Sequence, residues 1–222
     1  MGEKYQLLFL SNLDNRNILV NASNVLSKFG WYYNRFSLGK HSFWSDGPVW
    51  NFGKSKEVTE KETEESENMY KLIEIIEYIS QFYSQSIIYH KPVNDRVTQA
   101  IISIVESTNL LWKEIHISFE LNDLLIPNGN RDIISKEVKE IFIELSTCLK
   151  PFYGKSAIET NGLVDEPKQL KILESDLGDF NYFSFECPGL TQFSNNTEKY
   201  EINDFENVGR FIFTCKHIGE YT

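Results

Sequence analysis

The chain has 222 residues, of which 41% are hydrophobic, 14% aromatic and 24% charged. That is too apolar for a disordered chain and enough to bury a substantial core. Asp and Glu number 32 against 22 Lys and Arg, a formal net charge of −10, which argues against a general nucleic-acid binder because such proteins need cationic surface to displace counterions from phosphate.

In chain order, residues 4–10 read as a strand. Ile18, Leu19, Ala22, Val25, Leu26 and Phe29 then recur at helical spacing, and Gly30 stands where a helix-ending C′ residue belongs. Trp31 to Phe36 is aromatic-rich and predicts a second strand. Phe43, Trp44, Trp50 and Phe52 surround Asp46-Gly47-Pro48, turn chemistry that predicts a hairpin or ordered loop. Residues 57–67 hold six glutamates and one lysine, a net −5. Thr59 with Glu62 fits a capping box, and Met69, Leu72, Ile73, Ile76, Ile79 and Tyr83 make a helical stripe. The spacing therefore predicts one long helix whose first turns are acidic, with glutamates complementing the helix dipole.

Residues 97–105 fit a helical stripe but are dense in β-branched side chains, and Glu106-Ser107-Thr108-Asn109 can turn the chain, so they predict the first arm of a hairpin. Ile115, Ile117, Phe119 and Leu121 alternate with His116, Ser118 and Glu120, a half-buried strand. A turn at Asn128-Gly129-Asn130 precedes an amphipathic helix carrying Ile134, Val138, Ile141, Phe142, Leu145 and Leu149, ended by Pro151. Strands are predicted at 153–160, 180–187 and 208–216, with polar loops at 161–178 and 188–205 between them. The sum is an α+β fold: mostly antiparallel sheet with about three amphipathic helices packed on one face, in a single domain divisible into sub-lobes 1–92 and 93–222.

The N-terminal apolar run is too short for a signal sequence, and no segment approaches eighteen apolar residues, so a cytoplasmic protein without a membrane span is expected. Cys148, Cys187 and Cys215 are an odd, sparse set that makes no disulfide framework, and Cys148 falls on the apolar helix face. Asn21-Ala22-Ser23 and Asn195-Asn196-Thr197 match the glycosylation pattern only by chance in a chain with no export signal. Phosphate-loop, nucleophile-elbow and zinc-binding motifs are missing. His41, His90, His116 and His217 are isolated in sequence, His116 on the outward side of its strand, and Cys215-Lys216-His217 is too short a set for a metal. No cofactor and no metal are expected. Asp176, Asp179 and Glu186 flank one strand and could meet as carboxylates, although loop-capping is the simpler role.

Two features suit a protein interface. One is the acidic run, with Glu60, Glu62, Glu64, Glu65 and Glu67; the other is the aromatic turn bearing Trp44 and Trp50. Asp176 and Asp179 join them as candidate partner contacts. Trp31 and Trp112 read as core. A basic protein partner would be drawn by opposite charge.

Residues 97–187 also present a recognisable order: a β-branched hairpin (Ala100 to Val105, Glu114 to Leu121), Leu125-Ile126-Pro127, an amphipathic helix, Lys150-Pro151-Phe152-Tyr153-Gly154, a loop with Pro167, and Gly178-Asp179-Phe180-Asn181-Tyr182-Phe183. Gly209-Arg210-Phe211-Ile212-Phe213 follows. This order resembles the α+β immunity proteins of bacterial polymorphic toxin systems, in particular the immunity protein 52 family. The Gly-Trp pair associated with the penultimate strand is replaced by Phe180-Asn181. The resemblance implies a non-enzymatic protein that binds and neutralises one cognate toxin, and it brings no catalytic residues. The alternatives are an anti-defence binding protein encoded by a phage or plasmid, and a hydrolase built on Cys187 with a distant histidine or on paired acids.

Overall fold

A computed structural model describes residues 4–39, 43–44, 47–48, 61–62, 69–80, 84–93, 96–106, 112–120, 136–158, 177–187, 200–205 and 208–214. Its framework is a ten-stranded sheet in the order β11-β12-β10-β9-β1-β8-β7-β6-β2-β5. The strands are β1 (Lys4–Ser11), β2 (Tyr32–Gly39), β5 (Lys61–Glu62), β6 (Ser84–Val93), β7 (Arg96–Glu106), β8 (Lys113–Glu120), β9 (Tyr153–Ile158), β10 (Phe180–Ser184), β11 (Tyr200–Phe205) and β12 (Gly209–Thr214). Every pairing is antiparallel. A separate two-stranded ribbon joins β3 (Phe43–Trp44) to β4 (Gly47–Pro48). The helices are α1 (Asn15–Lys28), α2 (Met69–Ile79) and α3 (Lys136–Leu149). The sheet takes strands from both predicted sub-lobes.

β1 lies at the centre, between β8 and β9. Leu7, Leu8, Phe9 and Leu10 are all fully buried, because this strand is covered on both faces. Its odd-numbered residues, Tyr5, Leu7 and Phe9, face the helices and share one core with Ile102, Ile117, Phe142 and Phe211. Leu10 lies on the other face, in a smaller core with Phe152, Tyr153, Phe183, Cys187, Tyr200 and Ile212. Trp112 packs against that second core, its ring 5.1 Å from Phe152.

Local chemistry sets the helix ends. The Asp14 side chain accepts from Asn17 N at 2.7 Å and caps α1. At the other end Gly30 has φ +79, and Gly30 N and Trp31 N donate to Ser27 O and Leu26 O, a Schellman closure. α1 packs against both α2 and α3. Arg16 reaches Glu77 of α2 at 3.3 Å, and Lys28 pairs with Glu144 of α3.

The hairpin expectation at 97–105 holds: β7 pairs with β8 from Ala100 to Glu106. The helix spacing there arises because apolar residues occupy both sides of the strand: Ala100, Ile102 and Ile104 are fully buried on one side, with period two, while Val97, Ile101 and Val105 lie on the other. Two expectations are corrected, and one strand is added. The long acidic helix is not formed, since Lys61–Glu62 is a strand on β2 and α2 begins at Met69. A capping pair and glutamates near a helix start cannot outweigh pairing to a sheet edge. Ser84–Val93, predicted neither as strand nor as helix, is β6. Tyr200–Phe205, read as loop, is β11, because its burial comes from packing on β12 rather than from an alternating apolar pattern of its own.

Candidate partner-binding surface

The two faces of the sheet use their polar groups differently. On the helix side, charged groups tie elements together. Lys91 Nζ of β6 donates to Phe29 O at 2.7 Å and to Glu137 Oε2 at 2.6 Å, and lies 5.8 Å from the Trp31 ring centroid. Trp31 Nε1 donates to Glu137 Oε1 at 3.3 Å. One lysine thus joins a strand, the end of α1 and the start of α3. Lys139 of α3 sits 4.2 Å above the Phe213 ring and 3.9 Å from Glu201.

The opposite face carries rows of polar side chains across β6, β7, β8 and β1. The Ser86 and Ser103 hydroxyls are 2.9 Å apart, and Ser103 lies opposite His116 in the ladder. His116 Nε2 is 3.2 Å from Glu114 Oε2. Gln6 Nε2 donates to Ser118 Oγ at 3.3 Å, and Gln99 Nε2 is 3.0 Å from His90 Nε2. Beyond these rows the face becomes apolar and exposed: Tyr32 retains 66% and Val97 63% of its accessible surface. Tyr32 lies opposite His90, and Val97 opposite the exposed Pro92, so all four share this face. Just past Tyr32, β2 receives β5 at the sheet edge, in the register Arg35↔Glu62 and Phe36↔Lys61.

The candidate contacts fall as follows. Trp44 is in β3, opposite Gly47. Glu62 is in β5, which places the middle of the acidic run on the edge of the main sheet. Trp50, Glu60, Glu64, Glu65, Glu67 and Asp176 lie outside the described residues. Asp179 is engaged within the fold: its Oδ2 accepts from Tyr5 Oη at 3.0 Å. Asp179 and Glu186 stand at opposite ends of β10, about 20 Å apart along an extended chain, so they form no acid pair.

Among the described residues no group of three or more His, Cys, Asp and Glu side chains is arranged to hold a metal ion. No described helix is long and apolar enough to cross a membrane. Cys187 is 2% exposed within the second core, and Cys215 and His217 lie outside the described residues. Burial pushes the Cys148 thiol up to about 11, which keeps it protonated at neutral pH. His116 is more enclosed than its outward position suggested, with Glu114 beside it and 18% of each side chain exposed.

Tyr32 and Val97 were not singled out by sequence. The signal for Tyr32 was present, since two adjacent tyrosines in a strand must point to opposite faces. Tyr33 turns to the core, its ring 6.4 Å from that of Tyr89. Tyr32 is left outside.

Comparison of the chain with family models, curated proteins and solved structures finds no match.

Proposed function

We propose that the protein is an immunity or inhibitor protein, a stoichiometric binder that neutralises a cognate basic toxin or effector protein by covering it with an acidic, aromatic surface, without turning over a substrate. The observation that carries this reading is the position of Glu62. The most acidic stretch of the chain is hydrogen-bonded through β5 to the edge of the main sheet, beside exposed Tyr32. Negative charge on a protein speeds its encounter with a cationic partner. The overall charge of −10 acts in the same direction.

The test is protection of cells that express the toxic domain encoded beside this gene. The unchanged chain is expected to restore growth. A variant with Glu60, Glu62, Glu64, Glu65 and Glu67 all replaced by Lys is expected to lose protection, with association slowed by about tenfold or more at low salt. Full protection by that variant, folded to the same extent, would refute the charged-surface reading.

A further inference from the structure

We draw no further inference here: the strongest candidate, the exposed apolar patch of Tyr32, Pro92 and Val97 where β2, β6 and β7 meet on the sheet face away from the helices, carries nothing, because nothing in the structure shows what covers it.

Discussion

A single methyl group at Gly178 should be among the most damaging small changes in this protein. A Cβ there would stand 1.5 Å from Ser156 O and 2.6 Å from Ser156 C, both backbone atoms of β9 that no rotamer change can move. Relief requires the start of β10 to separate from β9. That separation breaks a tightly bonded corner. Asp179 N donates to Ser156 O at 3.1 Å and Phe180 N to Ser156 Oγ at 2.8 Å. Asn181, fully buried, bonds Gly178 N through Oδ1 at 2.9 Å and Gly178 O through Nδ2 at 2.7 Å. Each bond is worth about 1 kcal/mol net and more when a buried group is left unpaired. With half of the set lost, Gly178→Ala should cost about 3–4 kcal/mol, or roughly 6–15 °C in a chain of this size. Gly30→Ala supplies the internal comparison. Gly30 also resists substitution, but only through its φ of +79; the nearest atom to an added Cβ is Lys91 Cε at 3.9 Å. Its cost should be about 1 kcal/mol, or 2–4 °C. Thermal unfolding followed by circular dichroism measures both. A Gly178→Ala melting point no lower than that of Gly30→Ala would refute the close approach of the two strands.

Phe142→Ala should lower urea stability by about 3–5 kcal/mol, because the ring is fully buried between Phe9 at 5.2 Å and Phe180 at 5.9 Å; a loss under 1 kcal/mol would place α3 elsewhere. Stability should fall in alkali: Cys148 keeps its proton to about 11 in the fold while an unfolded cysteine loses it near 8.5, so the contribution is whole below about pH 8.5 and is lost as pH rises through 11. Buried Tyr89 is shifted upward by desolvation and adds to the same trend, and urea midpoints at stepped pH should flatten in Cys148→Ala. The Arg210 guanidinium bonded to Asp204 holds that carboxyl below its ordinary range, and Arg210→Gln should return it upward in an NMR titration; an unchanged Asp204 titration would show that the pair is not formed in solution.

The parts of the fold legible in sequence were those whose side chains alone decide their environment. In β8, Ile115, Ile117 and Phe119 are buried and His116 and Ser118 are not, so period two survives intact in the sequence. α3 shows its stripe because only one side meets the sheet, and α1 carries its own stop signal at Gly30. β6 was not legible because Ser84, Gln85 and Ser86 give it a polar start, and pairing on two sides supplies what its composition does not. The acidic run misled for a related reason. Its glutamates favour a helix locally, but Lys61–Glu62 meets an available strand edge, a condition set by Arg35 and Phe36, far upstream in the chain. The site divided the same way: local composition picked out the acidic run, whereas exposure of Tyr32 and Val97 depends on which face α1 and α3 cover.

The sheet's two ends are poor templates for an added strand. Among the described strands, β11 ends one side and carries exposed Asn203 and Asp204, with Glu201 held toward Lys139. β5 ends the other side, is two residues long and lies within the acidic run. Short, charged edges discourage strand addition, since an incoming chain must desolvate those charges to reach few hydrogen bonds. The helix face is closed by packing and by cross-links such as Lys91–Glu137. What remains is the face with Tyr32 and Val97, where substitutions cost little stability because the side chains are already in water. Side chains can therefore change there while the core beneath β1 stays fixed.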